Sequence, residues 1–170
     1  MIDRIHTSAV DPEMDEVAVA GHVHEIRDLG GLVFVIVRDR EGLVQVVFKE
    51  EREPELFEAV ESAGSEDVVR VVGEPVASDQ APGGVEIAPT DYEVLDTADS
   101  PLPLEISKDV TVDLSTRLDN RALDLRKPET LAVFSLRSTL MTAMESWFDE
   151  EGFVDIKTPL ISKGGAEGGA

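Results

Sequence analysis

Three side chains on neighbouring extended segments carry groups that could recognise a nucleic-acid base. Phe34 and Gln45 lie on segments rich in alternating valines, and Glu86 opens a later segment of the same kind. If the valines of alternate positions point inward, Phe34 and Gln45 face outward, because successive strand residues point to opposite faces. An exposed Phe can stack on a base, while Gln and Glu hydrogen-bond base edges. Each residue also has an ordinary interpretation, as a core Phe, a strand Gln and a solvated Glu.

Alternating hydrophobicity predicts five strands that would carry these residues. They span residues 16–28, 32–38, 43–49, 68–76 and 85–95. A helix is predicted over 54–63, between the third and fourth strands. This order is that of an OB-fold, a small Greek-key barrel that binds oligonucleotides on its second and third strands. Another small β-barrel, or a half-open sheet without a role in RNA binding, would have the same pattern. We predict a mainly β fold, with a five-stranded OB-fold barrel in residues 1–96.

The second part of the chain is predicted to be helical and to expose an apolar stripe. Residues 97–127 are a linker with a short helix over 116–125, and 128–151 form the longest helix. Apolar side chains recur along that helix at helical spacing: Val133, Leu136, Leu140, Met144 and Trp147. A strand broken by a proline is predicted over 153–161. Because little chain follows the helix, the stripe is expected to pack on a missing segment or on a second copy.

The charge of the chain opposes nucleic-acid binding in dilute salt. Its net charge is −21, from 36 acidic and 15 basic residues. Phosphate contacts favour Lys and Arg, but at about 1 M salt the Debye length falls to roughly 3 Å and only near-contact charges matter. Acidic surfaces keep salt-adapted proteins soluble. Since the charge is spread along the chain, we interpret it as halophilic adaptation rather than as an acidic protein that mimics nucleic acid.

Several classes of site are absent from the sequence. It contains no cysteine, which excludes disulfides and thiolate metal sites and favours a cytoplasmic location. No apolar run is long enough to span a bilayer, so no membrane partner is expected. No phosphate-cradling loop, metal cluster or nucleophile–base pair is found either. The chain is expected to bind no cofactor and to be catalytically inactive by itself.

Segments along the whole chain resemble aspartyl-tRNA synthetases of the archaeal type. The resemblance is carried by VAVAGHVHEIRDLGG, FVIVRDREGLVQVV, SEDVVRVVGE, VEIAPTDYEVLDTADSPLPL, RLDNRALDLR and GFVDIKTPLISKGGAEGGA. It implies an anticodon-binding domain, a hinge, and the start of a class II catalytic domain in residues 128–170. The full-length enzyme would use ATP and Mg²⁺ to activate aspartate and would transfer the aspartate to tRNA. The family's second and third motifs, which bind ATP and Mg²⁺, would lie beyond this chain.

The resemblance also assigns roles to residues of the barrel. Phe34 would stack on a base, Gln45 would hydrogen-bond the central uracil of the anticodon, and Glu86 would engage the third anticodon base. Arg27 matches a position near the anticodon phosphates. His24 and Pro82 stand where strict members of the family have Trp and Lys. Because the bulky Trp and the charged Lys are missing, the resemblance implies a relaxed enzyme that charges both tRNA(Asp) and tRNA(Asn).

Two further assignments fall near the end of the chain. Residues 152–161 match class II motif 1, with Pro159 as its proline, which implies a homodimer interface. Glu167 matches the Glu of a loop that closes on the amino group of aspartate. The family more often has Thr where this chain has Ala166.

Two alternatives to this interpretation stay open at the level of sequence. One is a freestanding OB-fold nucleic-acid-binding module or truncated paralogue without ligase activity, although motif 1 has no use without a catalytic sheet. The other is an asparaginyl or lysyl relative, which shares the barrel. The segment RLDNRALDLR and the set of Phe34, Gln45 and Glu86 favour the aspartate enzyme.

Overall fold

The computed structural model describes residues 2–107 and 110–157, in two compact units that comprise 1–121 and 122–170. Its strands are β1 (Val17–Asp28), β2 (Leu32–Arg38), β3 (Leu43–Lys49), β4 (Val68–Ala77) and β5 (Val85–Asp96). Its α-helices are α1 (Pro54–Glu61), α2 (Leu114–Asp119), α3 (Arg121–Asp124) and α4 (Pro128–Glu150). The strand predictions are confirmed within one residue at each end. The helix predicted over 116–125 is two short helices instead.

The five strands close into a barrel in the order β1-β2-β3-β5-β4, with β4 paired back to β1. All pairs are antiparallel except β3 with β5. This confirms the predicted barrel. Its interior is filled by alternate strand residues with no exposed surface: Val19, Val23, Val35, Val37, Val44, Val46, Phe48, Val69, Val71 and Ile87. Helix α1 adds Phe57 and Val60 to this core, so the apolar face of the helix packs on the barrel.

Gly73 allows a close approach between β4 and β5. A Cβ atom at this position would lie 2.2 Å from the carbonyl oxygen of Ala88 and 2.7 Å from a methyl group of Ile87. The pairing register of the two strands shifts between Val72 and Gly73, as expected where a bulge bends a strand. Only a residue without a side chain fits between these atoms.

We therefore expect Gly73→Ala to destabilise the barrel by about 2–3 kcal/mol, because backbone atoms must move to make room for the methyl group. Thermal unfolding would measure this as a fall in Tm of roughly 5–10 °C. Gly42→Ala is the matched control, since the nearest atom to its Cβ, Oγ1 of Thr7, would lie 3.4 Å away. Equal Tm values for the two variants would contradict the close approach.

The predicted turn between β2 and β3 is confirmed and is organised by Asp39. The N–H of Asp39 donates to the carbonyl of Gly42, and its carboxylate accepts from the N–H groups of Glu41 and Gly42. The same carboxylate accepts from the backbone N–H of Thr7 at 2.9 Å and from its hydroxyl at 2.8 Å. Burial would raise the pKa of Asp39, but these hydrogen bonds, together with one from His6, hold it well below its usual range.

The charge of Asp39 should therefore stabilise the fold, and the effect should depend on pH. A carboxyl group with a depressed pKa in the folded state contributes stability above its unfolded pKa of about 3.9, and this is lost as pH falls through the folded value. We expect Asp39→Asn to lower the free energy of unfolding by about 2 kcal/mol at pH 7. Urea denaturation from pH 7 to pH 2 should show the two proteins converging below about pH 4. A difference in the free energy of unfolding that stays constant from pH 7 to pH 2 would indicate that the shape of the Asp39 side chain, not its charge, is responsible.

The second unit consists mainly of α4, whose apolar side chains are exposed. Leu136 is 72% exposed and Trp147 is 54% exposed, in agreement with the predicted exposed stripe. The strand predicted over 153–161 is not formed in residues 153–157, which have no regular structure. A strand needs a hydrogen-bonded neighbour, and the described part of this unit contains none. Residues 158–170, which include Pro159 and Glu167, lie outside the described residues.

Candidate nucleic-acid interface

Phe34 lies on the outer face of the barrel, at the centre of β2. Its neighbours Val33 and Val35 are buried in the core, whereas Phe34 is only partly buried. It pairs with Arg27 on β1 and with Val47 on β3. The predicted orientation of β2 is therefore confirmed. The ring lies where an unstacked base from solvent can reach it.

Gln45 and Glu86 meet on the same outer face. The parallel register of β3 and β5 sets the two residues opposite each other, and Nε2 of Gln45 donates to Oε2 of Glu86 at 3.2 Å. Gln45 is 9% exposed, while Glu86 stays partly exposed between the buried Val85 and Ile87. After this bond the Gln45 amide retains a second N–H and its carbonyl oxygen, and the carboxylate retains further lone pairs. The pair can therefore both donate to and accept from a base edge.

The strand register joins these residues into one row across four strands. Glu25 of β1 pairs with Ile36 of β2, Ile36 pairs with Gln45 of β3, and Gln45 pairs with Glu86 of β5. The two residues predicted to face outward, Phe34 and Gln45, do not pair with each other, since the residue opposite Gln45 is Ile36. Phe34 lies two residues before Ile36 on β2, so it belongs to the neighbouring row of outward residues. The stacking ring and the hydrogen-bonding pair are thus diagonal neighbours.

Arg27 lies beside Phe34, because the two residues pair across β1 and β2. Its guanidinium is held by Glu25 through two hydrogen bonds, of 2.9 Å from Nε and 3.0 Å from Nη2. These bonds and the charge of Glu25 raise the pKa of Arg27. The side chain of Arg27 is 64% exposed, and Glu25 offsets part of its charge. A phosphate group would have to share this Arg with the carboxylate.

His24 sits at an irregularity of β1, where the register with β2 shifts between Val23 and Glu25. Nη1 of Arg38 lies 2.8 Å from Nδ1 of His24. The same Arg38 binds both carboxylate oxygens of Glu66, at 2.7 and 2.9 Å. Burial and the charge of Arg38 lower the pKa of His24, partly offset by Glu66 and Glu25. His24 is therefore neutral at pH 7 and is fixed at one end of the row.

Pro82 lies between β4 and β5. It begins a 3-10 turn, Pro82–Gly84, in which Gly83 and Gly84 have φ of 75° and 79°. The turn lies against β3 and leads directly into the strand that carries Glu86. His24 is on β1 and the turn of Pro82 lies beside β3, with β2 between these two strands in the sheet.

Sequence reasoning missed four residues of this surface: Glu25, Ile36, Arg38 and Glu66. Glu25 and Ile36 complete the row, while Glu66 anchors the Arg38 that contacts His24. The alternation of β2 already places Ile36 and Arg38 outward with Phe34. That signal could have identified them. The contact with Glu66 crosses from β2 to the loop before β4, and no spacing in the sequence indicates it.

The described residues contain no group of three or more His, Cys, Asp or Glu that could hold a metal ion. None of the described helices is both long enough and apolar enough to cross a membrane.

Comparison with known families identifies the family to which the chain is similar. Residues 17–95 match the model of the OB-fold nucleic acid binding domain, and residues 113–170 match that of the class II tRNA synthetases (D, K and N). The chain belongs to the class II tRNA synthetases. Within this family the barrel that carries Phe34 is the domain matched by the anticodon-type OB-fold model, and α4 lies in the part matched by the synthetase model.

Relatives of this class II synthetase chain are similar along nearly its whole length. It is 44% identical over 169 residues to the aspartate–tRNA(Asp/Asn) ligase of Archaeoglobus fulgidus, a match that covers 98% of the chain and 39% of that relative. It is 45% identical over 172 residues to the ligase of the same name from Methanopyrus kandleri, covering 99% of the chain and 40% of the relative. The chain thus spans about two fifths of the length of these curated relatives.

Solved structures of synthetases have the same fold. The asparaginyl-tRNA synthetase of Pyrococcus horikoshii, complexed with asparaginyl-adenylate, superposes with a TM-score of 0.85 at 30% identity, covering 99% of this chain and 39% of that one. The aspartyl-tRNA synthetase of Entamoeba histolytica superposes with a TM-score of 0.81 at 25% identity, covering 93% of this chain and 39% of that one. An asparaginyl and an aspartyl enzyme thus share the architecture, so the fold alone does not select the amino acid.

Proposed function

We propose that this chain is the anticodon-reading part of an aspartate–tRNA ligase that charges both tRNA(Asp) and tRNA(Asn). The observation that carries the proposal is the Gln45–Glu86 hydrogen bond next to the outward ring of Phe34. This arrangement joins a stacking ring to a donor–acceptor pair on the strands that an OB-fold uses for oligonucleotides. The relatives named aspartate–tRNA(Asp/Asn) ligases support the choice of tRNA.

Each residue of the surface has a proposed role. Phe34 stacks on an anticodon base, and Gln45 hydrogen-bonds the central uracil. Glu86 engages the third anticodon base, where its carboxylate can accept from the amine of a cytosine. Arg27 contacts a backbone phosphate. These roles use the outward positions of β1, β2, β3 and β5 and leave the barrel core unchanged.

His24 and Pro82 are proposed to flank the third anticodon base and to permit either cytosine or uracil there. His24 approaches from β1, and Pro82 lies on the 3-10 turn beside β3. Neither side chain has the bulk of Trp or the charge of Lys. The surface therefore lacks a group that would exclude one pyrimidine by contact or charge.

The whole protein is proposed to activate aspartate with ATP and Mg²⁺ and to act as a homodimer. The barrel would comprise residues 1–96, the hinge residues 97–127, and the start of the catalytic domain residues 128–170. Within this last part, Pro159 would lie in the dimer interface and Glu167 in the aspartate-binding loop. The exposed apolar residues of α4 support this, because they require a partner surface. Since the described residues hold no metal-binding cluster, the ligands of ATP and Mg²⁺ would come from elsewhere in the whole protein.

The experiment that tests the proposal is binding of anticodon stem-loops in molar KCl, where the net charge of −21 is screened. One stem-loop carries C as the third anticodon base, one carries U, and a third has an unrelated anticodon. We expect similar affinity for the first two, measured by fluorescence anisotropy, and much weaker binding of the third. Binding of the C form alone would contradict relaxed reading. Equal binding of all three would contradict anticodon recognition.

A further inference from the structure

The contact between Arg38 and His24 determines which nitrogen of the imidazole carries the proton. Nη1 of Arg38 lies 2.8 Å from Nδ1 of His24. A guanidinium has five N–H donors and no acceptor, so Nδ1 must accept through its lone pair. A neutral imidazole has one protonated nitrogen, and the proton of His24 is therefore on Nε2. In the part of the chain that the structure describes, Nε2 has no hydrogen-bond partner.

Arg38 is itself held in place by a buried carboxylate. Its Nη2 binds both oxygens of Glu66, whose side chain is 1% exposed, while the side chain of Arg38 is 13% exposed. Glu66 has a φ of 69°, in the left-handed region, and its backbone N–H donates to the carbonyl of Val23. The guanidinium therefore cannot turn away from His24 without breaking its two hydrogen bonds to a buried carboxylate.

Burial and the charge of Arg38 lower the pKa of His24, whereas two nearby carboxylates raise it in part. Arg38 faces His24 from β2, Glu66 from the loop before β4, and Glu25 is its neighbour on β1. Nδ1 of His22 lies 3.8 Å from a Glu66 oxygen, so His22 is part of the same group. A second proton on His24 would have to enter at Nδ1, directly against the guanidinium. Protonation of His24 is thus opposed by geometry as well as by burial.

We propose that Arg38 and Glu66 are positioning residues that hold His24 as an Nε2–H donor to the RNA, with the O2 carbonyl of the third anticodon base as its acceptor. This inference rests on the proposed function. Cytosine and uracil differ at position 4, where one has an amine and the other a carbonyl, but both have a carbonyl at position 2. A fixed donor to O2 recognises a pyrimidine without distinguishing the two. The relaxed reading then has a positive cause, in addition to the lack of bulk at His24 and Pro82.

The first arm of the test is the tautomer of His24 in the RNA-free chain. Long-range ¹H–¹⁵N correlation at pH 7 should show a protonated Nε2 and a bare, hydrogen-bonded Nδ1. The double variant Arg38→Gln with Glu66→Gln removes both charges and leaves no buried charge unpaired. Because a Gln amide can donate or accept, this variant should show a mixture of the two tautomers. A wild-type proton on Nδ1, or a double variant with an unchanged single tautomer, would overturn the positioning role.

The second arm is binding of the C-ending and U-ending stem-loops. His24→Phe keeps a ring without a donor, and we expect it to weaken binding of both stem-loops by a similar factor of about three to ten. His24→Gln replaces Nε2–H by an amide N–H at similar reach and should restore most of that loss. The Arg38→Gln, Glu66→Gln double variant should weaken both complexes as well.

The possible results distinguish the inferred His24 contact from the proposed function on which it rests. If the wild type binds both stem-loops and His24→Phe binds them equally well, the proposed function stands and the His24 contact is overturned. If His24→Phe weakens only the C-ending complex, the shared O2 acceptor is wrong. If the wild type binds neither stem-loop, the proposed function and the contact fail together.

Discussion

Phe34→Ala should weaken binding of the C-ending anticodon stem-loop by roughly 5- to 150-fold, because loss of one base–aromatic stack costs about 1–3 kcal/mol. The residue lies on the outer face of β2, beside Arg27 and Val47, and adds nothing to the barrel core. Removal of its ring should therefore act on the complex more than on the fold. Anisotropy titration in molar KCl would measure the loss, with thermal unfolding as a check that the variant is folded.

Two conservative variants separate stacking from simple apolar contact. Phe34→Tyr keeps the ring and should retain affinity within about twofold, whereas Phe34→Leu keeps apolar volume without a π face and should lose nearly as much as Phe34→Ala. Phe148→Ala removes an aromatic side chain that is 42% exposed on α4, and it should leave RNA binding unchanged. Full affinity in Phe34→Leu would show that the ring does not stack on a base.

Arg38→Met should lower the free energy of unfolding by about 3–5 kcal/mol, since it removes the opposite charge and two hydrogen bonds from a buried carboxylate. Glu66 would keep its carboxylate at 1% exposure without the two hydrogen bonds of 2.7 and 2.9 Å from Arg38. Salt in the solvent screens a buried pair much less than an exposed one. Urea denaturation in dilute and in molar KCl should therefore give a similar loss.

Arg27→Met is the matched control for this prediction. Arg27 binds both carboxylate oxygens of Glu25 at similar distances, 2.9 and 3.0 Å, but its side chain is 64% exposed. Exposed ion pairs contribute about 0–1 kcal/mol, so this variant should keep its stability. Joint replacement of Arg38 by Met and Glu66 by Gln should recover part of the loss of Arg38→Met. No recovery would indicate that the packing of Arg38, rather than its ion pair with Glu66, dominates.

The barrel was predictable because local patterns in this chain agree with its tertiary structure. Valines alternate along β2 and β3, Asp39 and Gly42 mark the turn, and Pro54 opens α1. The register of those two strands follows from the tight turn, so the outward position of Phe34 follows as well. The strand predicted over 153–161 does not form in residues 153–157. An apolar segment forms a strand only where a neighbouring strand pairs with it.

The candidate site was only partly predictable, because its contacts join segments that are distant in sequence. Gln45 and Glu86 were singled out as separate residues, but their hydrogen bond depends on the parallel register of β3 and β5. The shift in β1 at His24 cannot be read from its neighbours, and it determines which side chain meets Arg38. Glu66 is one of many acidic residues in the sequence, and its burial follows only from the tertiary structure.

The parallel pairing of β3 with β5 also has a dynamic consequence. Its register comprises two residue pairs, Gln45 with Glu86 and Val46 with Ile87, whereas β4 and β5 pair along nearly their whole length. A short ladder is a place where a closed sheet opens locally with little loss of native structure. Opening between β3 and β5 would separate Gln45 from Glu86, while the rest of the barrel core stays largely formed. Anticodon recognition would then be linked to local opening of the barrel between β3 and β5. Bound RNA would slow amide hydrogen exchange along this strand pair before it changes exchange in other parts of the chain.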